Sequence, residues 1–99
     1  MDVNITRGDG ASTLALTGRL DTVTAPQLQE ELLPEFDNAE QVTLDFTDLV
    51  YVSSAGLRVL LLAEKTAQSK SSKMKIINVC PEVREVFEMT GFTGMLDIE

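Results

Sequence analysis

The chain has 99 residues, a length that supports one folded domain, and its 16 acidic against 8 basic side chains give a net charge of −8. With 43% hydrophobic and 24% charged residues, it has the composition of a globular protein. The sequence contains no His, which excludes a Ser-His-Asp triad and His-ligated metal sites, and its one Cys allows no internal disulfide.

The negative charge is concentrated in the first half of the chain. Residues 1–48 hold ten acidic and two basic side chains, whereas residues 49–99 hold six of each. Such an acidic surface disfavours nucleic acid and anionic membranes and attracts basic partners. The longest apolar run, residues 59–63, is far shorter than the ~20 residues of a membrane span, and the N-terminus lacks a signal-peptide pattern. We therefore expect a cytoplasmic protein that neither binds nucleic acid nor inserts into a membrane.

The start of the chain predicts a β-hairpin. Residues 3–7 and 12–17 each alternate apolar with polar or small side chains, which is the pattern of half-buried strands. Gly8-Asp9-Gly10 between them is a strong turn signal. The segment Gly18-Arg19-Leu20-Asp21 is then expected to lead out of the sheet.

A first helix is predicted after this hairpin. Thr24 is a candidate N-cap, and Pro26 stands where a first helical turn tolerates proline. Apolar residues then recur at helical spacing, with Glu35 among the side chains expected to face water. Because proline disrupts a helix interior, the helix should kink or end near Pro34.

Strands and helices alternate over the rest of the chain. The predicted elements are a strand through Val42, Leu44 and Phe46, a helix from Ser54, a strand over Met74 to Val79, a helix from Pro81 to Gly91, and a short last strand over Met95 to Ile98. Helices between the later strands imply parallel pairing through right-handed crossovers, whereas the opening hairpin is antiparallel. The sequence therefore predicts one α/β domain over residues 1–99, with a mixed sheet, the element order ββαβαβαβ and helices packed mainly on one face.

Most kinds of chemical site have no support in the sequence. Neither of the glycine-rich phosphate-binding motifs, GxxxxGK[ST] and GxGxxG, occurs. Asp45 and Asp48 stand three apart at a strand end and could hold Mg²⁺, although solvated turn formers are the more common role for such residues. Cys80 precedes a helix, where a reactive thiolate is less common than a small, half-buried side chain. We therefore expect no cofactor and no metal.

The segment Tyr51-Val52-Ser53-Ser54-Ala55-Gly56-Leu57 is the most informative part of the sequence. A strand ends, two hydroxyl groups follow, and a turn of small residues opens the longest apolar helix. A helix N-cap needs one hydroxyl, which either Ser53 or Ser54 can supply. Ala55-Gly56 makes a poor first helical turn, and small residues there suit a close approach to the backbone. A serine at a helix N-terminus, where a phosphate is tolerated, is therefore a candidate functional group.

The stretches GRLDTVTAPQL, TLDFTDLVYVSSAGLRVLL and IINVCPEVREVFEMTGF together cover most of residues 12–94. In content, order and spacing they resemble the anti-sigma factor antagonists of the STAS (sulfate transporter and anti-sigma factor antagonist) domain family. That family usually opens the corresponding helix with Asp-Ser-Ser-Gly-Leu, and a partner kinase phosphorylates the first Ser. The resemblance implies a STAS fold with a phosphorylated serine at this helix.

The resemblance also assigns individual residues. Alignment on Gly56-Leu57 places the phosphorylated serine at Ser54. Ser53 takes the place of the family's Asp, and Ala55 takes the place of its second Ser. Asp21 matches an acidic residue of the family that contacts the kinase. The expected partner-binding residues are Asp21, Ser53, Ser54, Ala55, Gly56 and Arg58. Family members usually continue into a C-terminal helix, which this sequence does not include.

The function implied by the resemblance is partner switching. The unphosphorylated chain would bind an anti-sigma factor that is also a serine/threonine kinase, which frees the sigma factor for transcription. The kinase would then phosphorylate Ser54, and a serine phosphatase would reverse the change. Arg58, one helical turn further on, is placed to pair with the phosphate or with a carboxylate of the partner. The free chain is expected to be a monomer and not an enzyme.

Two alternatives stay open. Related STAS domains act as binding subunits of transporter or other signalling complexes that involve no sigma factor. Binding to a membrane-transport ATPase without any kinase would favour that alternative. A hydrolase using Ser54 would need a base, and the motif offers neither a His nor a nearby Lys.

Overall fold

The computed structural model describes the whole chain, residues 1–99, as a four-stranded sheet with three α-helices. The strands are β1 (Asp2–Gly8), β2 (Ala11–Leu20), β3 (Gln41–Val52) and β4 (Lys73–Ile77). The helices are α1 (Ala25–Leu32), α2 (Ser54–Ser69) and α3 (Pro81–Thr90), and short 3₁₀ helices at Leu33–Asp37 and Phe92–Gly94 follow α1 and α3. The order ββαβαβα confirms the predicted α/β class.

The sheet has the mixed pairing that the sequence predicts. Its strand order is β1-β2-β3-β4, with β1 antiparallel to β2 and the other neighbours parallel. The hairpin closes through Asp9 and Gly10, both at positive φ (51° and 76°), a turn geometry that matches the twist of the two strands. α1 and α2 are the crossover helices that parallel pairing requires. The carboxyl ends of β2 and β3 therefore lie side by side.

One apolar core lies between the sheet and its helices. Leu14, Val42 and Ile76, in three adjacent strands, are 0% exposed. The alternate residues Ala15 and Lys75 are half-buried. Because side chains alternate between the two faces of a sheet, this pattern confirms that the helices cover mainly one face. No helix combines the length and apolar character that crossing a bilayer requires.

Two strand predictions differ from the structure. Residues 18–20, expected to leave the sheet, continue β2 until Leu20 pairs with Val52. Gly18, at a φ of 105°, accommodates the shift in register with β3 that occurs after it, and so allows the strand to continue. The predicted last strand over residues 95–98 is reduced to a single bridge between Ile98 and Ile76, flanked by two backbone hydrogen bonds of 2.8 Å.

The helix boundaries agree with the predictions, and only the side-chain contacts of the first N-cap differ. α1 ends just before Pro34, and Gly91 ends α3 in a left-handed conformation with a φ of 78°. Thr24 does stand directly before α1, but its side chain makes no capping hydrogen bond. The carboxylate of Asp21 instead accepts the backbone N–H groups of Val23 and Thr24. Thr24 therefore occupies the predicted N-cap position, but its hydroxyl accepts the Asp21 N–H and donates to the Arg19 carbonyl oxygen, so it caps no helix N–H.

Glu35 is buried, although the sequence pattern predicts that it faces water. It is 7% exposed and lies in the 3₁₀ turn that contains Pro34. Its carboxylate accepts hydrogen bonds from Arg7 Nε (2.9 Å) and Nη2 (2.8 Å) and from Ser12 Oγ (2.9 Å). The hydrogen bonds from Arg7 hold the pKa of Glu35 below its ordinary value. The prediction is wrong because position 35 lies on the same face as the buried Leu28 and Leu32, and hydrogen bonds from the distant Arg7 and Ser12 allow a carboxylate to be buried there.

Candidate functional site

The carboxyl ends of β2 and β3 meet where the turn into α1 and the start of α2 lie. Leu20 and Val52 are the last paired residues of the two strands. The backbone N–H of Ser53 then donates to the carbonyl oxygen of Leu20 over 2.9 Å. Asp21 and Ser54 each follow directly after this hydrogen bond. The fold thus places the Asp21 turn next to the first turn of α2.

Ser53 is the N-cap of α2. Its backbone is extended (φ −93°, ψ 174°), and its hydroxyl oxygen accepts the N–H of Gly56 over 3.4 Å. Its carbonyl oxygen accepts the N–H of Leu57 over 2.9 Å, the first hydrogen bond of the helix. The residue is half-buried. The capping role that the sequence leaves open between two serines therefore belongs to Ser53.

Ser54 is the first residue of α2. The residue is exposed, and its hydroxyl group makes no hydrogen bond within the chain. A hydroxyl with this exposure is accessible to another protein, whereas the Ser53 hydroxyl is engaged in holding the helix start. The two neighbouring serines thus have different environments.

Gly56 is required by packing inside the chain. A Cβ atom at this position would lie 2.6 Å from Leu20 Cγ and 3.1 Å from the Leu20 carbonyl oxygen. The small residues of the SSAGL segment (residues 53–57) therefore do permit a close approach to the helix backbone. The group that approaches is β2 of the same chain. Gly56 is buried and Ala55 is half-buried against the core. Their contribution to partner binding stays a prediction.

Asp21 organises the turn that precedes α1. Its Oδ1 accepts the N–H groups of Val23 (3.0 Å) and Thr24 (3.1 Å), and its own N–H donates to Thr24 Oγ1 over 2.8 Å. The hydrogen bond from the Thr24 N–H is the main cause that lowers the pKa of Asp21. Its Oδ2 lies 3.9 Å from Arg19 Nε. The carboxylate is therefore ionised at neutral pH and fixed in position beside the start of α2.

Arg58 and Leu62 continue the exposed surface of α2 beyond Ser54. Residues spaced by four lie on one face of a helix, so Ser54, Arg58 and Leu62 form one stripe, which we name the α2 stripe. Arg58 is exposed and makes no ion pair or hydrogen bond. Leu62 is 40% exposed, which is unusual for a large apolar side chain on a core-facing helix. The stripe thus combines a hydroxyl, an unpaired cation and an apolar group.

The family of the chain follows from its sequence profile. The family described as "Mlab, STAS domain" matches residues 3–97. The chain belongs to the STAS domain family. This STAS domain is 36% identical over 99 residues to the proposed anti-sigma factor antagonist BtrV of Bordetella bronchiseptica, a match that covers 99% of this chain and 85% of that protein.

Solved structures share the same STAS fold. A proposed anti-sigma factor antagonist from Thermotoga maritima superimposes with a TM-score of 0.88 at 18% identity, covering 97% of this chain and 84% of that one. The Bacillus cell fate determinant SpoIIAA in its phosphorylated form gives a TM-score of 0.76 at 16% identity, covering 99% and 91%. At these identities the likeness establishes the fold of the STAS domain.

The sequence patterns do not identify three exposed residues of the STAS domain that lie in or beside the Asp21 turn. The guanidinium of Arg19 lies 4.1 Å from the centroid of the Tyr51 ring, in a cation–π contact between β2 and β3. Val23 is 85% exposed in the turn itself. The sequence could have revealed the Arg19–Tyr51 pair only if residues 18–20 had been assigned to β2, because the pairing register then places the two side by side.

Two other candidates from the sequence, Asp45 and Cys80, have contacts within the chain. Asp45 Oδ1 accepts from Thr47 Oγ1 (2.6 Å), from the Thr47 N–H (3.0 Å) and from Asn78 Nδ2 (3.1 Å). The hydrogen bond from the Thr47 hydroxyl is the main cause that lowers the pKa of Asp45. Cys80 is half-buried, with its Sγ 3.6 Å from the Leu49 carbonyl oxygen. Cys80 thus has the half-buried structural role that the sequence favours. The strand-end turn predicted for Asp45 is wrong, because β3 continues through this residue to Val52.

Proposed function

We propose that this STAS domain is an anti-sigma factor antagonist whose binding is controlled by phosphorylation of Ser54. In its unphosphorylated form it binds an anti-sigma factor that is also a serine/threonine kinase, and this frees the sigma factor. Phosphate on Ser54 ends the binding, and a serine phosphatase restores it. The relatives named as anti-sigma factor antagonists match nearly the whole chain, and one neighbour was solved in a phosphorylated form.

The observation that carries the proposal is the contrast between the two serines. Ser54 is exposed with a free hydroxyl at the first turn of a well-packed helix, whereas Ser53 is half-buried and caps that helix. A kinase can reach Ser54 without unfolding α2. A transfer to Ser53 would remove the cap, which favours Ser54 as the acceptor.

The chain is substrate and ligand in this scheme, and the kinase supplies the nucleotide chemistry. The Oγ of Ser54 forms a bond to the γ-phosphorus of ATP while the bond from that phosphorus to the β–γ bridging oxygen breaks. ADP leaves, and a base of the kinase takes the hydroxyl proton. The phosphatase hydrolyses the resulting ester and returns the free hydroxyl and inorganic phosphate.

Phosphorylation would block binding locally and leave the fold intact. The phosphate adds about −1.5 to −2 charges at neutral pH. The N-terminus of α2 has no acidic residue in its first turn, so the helix dipole favours this charge by roughly 0.3–1 kcal/mol. At the docking surface, burial of a dianion against groups shaped for a neutral hydroxyl costs several kcal/mol. The negative charge of Asp21 beside the site adds to the repulsion of acidic partner groups.

The test is phosphate transfer in vitro. The chain is incubated with ATP and candidate kinases of the same cell, and the product is mapped by mass spectrometry. We expect one phosphate on Ser54, its loss in Ser54→Ala and its retention in Ser53→Ala, the matched control. Phosphate confined to Ser71 or Ser72, or no transfer together with binding to a membrane-transport ATPase, would contradict the proposal and favour a transporter-complex subunit.

A further inference from the structure

Arg58 differs from every other arginine of the chain in having no partner. The chain contains four arginines. Arg7 is held by a buried carboxylate, Arg84 by a backbone carbonyl oxygen and Arg19 by an aromatic ring. Arg58 is exposed and has none of these contacts. Nothing within the unphosphorylated fold therefore accounts for its charge at the centre of the α2 stripe.

The geometry of the α2 stripe puts Arg58 within reach of a phosphate on Ser54. Residues four apart on a helix are neighbours, so the guanidinium can extend over the side chain one turn before it. The first turn of α2 contains no acidic residue that would compete for it. Guanidinium groups bind phosphate and carboxylate oxygens through two parallel hydrogen bonds, so Arg58 can accept either kind of anion.

We propose, on the basis of the proposed function, that Arg58 binds a carboxylate of the anti-sigma factor and that the Ser54 phosphate withdraws Arg58 by pairing with it inside the chain. The switch then has two parts, because the phosphate adds negative charge and also removes the cation that the partner needs. Leu62, the next residue of the stripe, adds an apolar contact. The expected partner surface is an acidic side chain beside an apolar one.

The internal pairing is tested without any partner by ³¹P NMR. Phosphoserine is incorporated at position 54 by a genetically encoded route in the wild-type, Arg58→Gln and Lys65→Gln chains, and the phosphate resonance is titrated. Its midpoint is near pH 6 when unpaired. We expect the wild-type midpoint a few tenths of a pH unit below that of Arg58→Gln, because an i,i+4 ion pair favours the dianion. Equal midpoints in these two chains would overturn the proposal.

Lys65→Gln is the control for charge. It removes one positive charge from the same helix, and Lys65 is exposed and makes no ion pair. It lies eleven residues after Ser54, which corresponds to about 16 Å along the helix axis. Its midpoint should equal that of the wild type. A shift as large as that of Arg58→Gln would show a general field effect and would contradict direct pairing.

The partner side is tested by titration with the kinase that transfers phosphate to Ser54. Arg58→Gln should weaken binding of the unphosphorylated chain about tenfold. The factor by which phosphorylation weakens binding should be about ten times smaller in Arg58→Gln than in the wild type. An equal loss on phosphorylation in both chains would overturn the withdrawal of Arg58. If the proposed function is wrong, no kinase will modify Ser54. The NMR comparison still decides whether Arg58 pairs with a phosphate on Ser54, because it needs no kinase.

Discussion

Polar side chains at the two ends of the sheet differ in how completely they are hydrogen-bonded within the chain. At the end that carries the hairpin, the Glu35 carboxylate accepts three hydrogen bonds, and the buried Ser72 hydroxyl donates to the Ala39 carbonyl oxygen over 2.8 Å. At the end that carries the start of α2, Ser54 and Arg58 are exposed and make no side-chain hydrogen bond. Groups satisfied inside the chain stabilise the fold, whereas exposed and unpaired groups are available to another molecule.

Residues at the end of the sheet that carries the start of α2 differ among themselves in the same respect. Asp21 fixes the turn before α1, and Ser53 caps α2. Gly56 leaves room for Leu20 to pack against the helix. These three residues support the backbone that carries the α2 stripe. Substitution of the supporting residues should therefore lower stability, whereas substitution of Ser54 or Arg58 should alter binding with little effect on stability.

Gly56→Ala should have the largest effect on stability. The added Cβ would meet Leu20 Cγ at 2.6 Å and the Leu20 carbonyl oxygen at 3.1 Å, so β2 and α2 must separate. We expect a loss of about 2–3 kcal/mol in the free energy of unfolding, measured by urea denaturation. Gly94→Ala is the control, because a Cβ there meets no atom within 4 Å. An equal, small effect of both substitutions would contradict the close packing of β2 on α2.

Glu35→Gln, at the hairpin end of the sheet, should lower the free energy of unfolding by about 1–2 kcal/mol at pH 7, because it weakens the hydrogen bonds that Arg7 and Ser12 donate to this buried side chain. The pKa of Glu35 is lowered in the folded chain, so its contribution is complete above the ordinary value of 4.5 and is lost as the pH falls through the lower folded value. The gap in unfolding free energy between wild type and variant should therefore narrow below about pH 4.

The control for this prediction is Glu30→Gln, at an exposed position of α1 that makes no ion pair. It should change the unfolding free energy by less than about 0.5 kcal/mol. A gap between wild type and Glu35→Gln that is the same at pH 3 and pH 7 would refute the role of the ionised Glu35 carboxylate.

The two serines provide the smallest and most local comparison. Ser53→Ala removes the N-cap of α2 and should cost about 1 kcal/mol of unfolding free energy. Ser54→Ala removes an exposed hydroxyl without a hydrogen bond and should change stability by less than about 0.5 kcal/mol. Thermal unfolding monitored by circular dichroism measures both. Equal losses would mean that the capping role is shared between the serines.

The sequence predicts the elements of this fold better than their ends. Hydrophobic periodicity identifies the hairpin, the crossover helices and the mixed sheet, because each depends on local patterns of apolar residues. The prediction that residues 18–20 leave the sheet is wrong, because their membership of β2 depends on pairing with residues 49–52, about 30 positions away. Glu35 was misassigned because its burial depends on Arg7 and Ser12, and no local pattern links residues so far apart in the chain.

The candidate site was predicted in outline from the SSAGL segment and the family resemblance. The sequence alone leaves the N-cap open between Ser53 and Ser54, since either hydroxyl satisfies the same local rule. The extended backbone of Ser53 and its contact with Gly56 decide the question. The exposure of Leu62 and the lack of any partner for Arg58 depend on how α2 packs, which helical spacing does not determine.

We propose that Ser54 controls binding without supporting the fold. The most direct measurement is a calorimetric titration of wild-type and Ser54→Asp chains against the kinase that phosphorylates Ser54, with melting temperatures recorded for both. We expect Ser54→Asp to bind about 100-fold more weakly, equivalent to ~2.7 kcal/mol, and to melt within about 2 °C of the wild type. Equal affinities of the two chains, or weaker binding accompanied by a large loss of stability, would contradict the account.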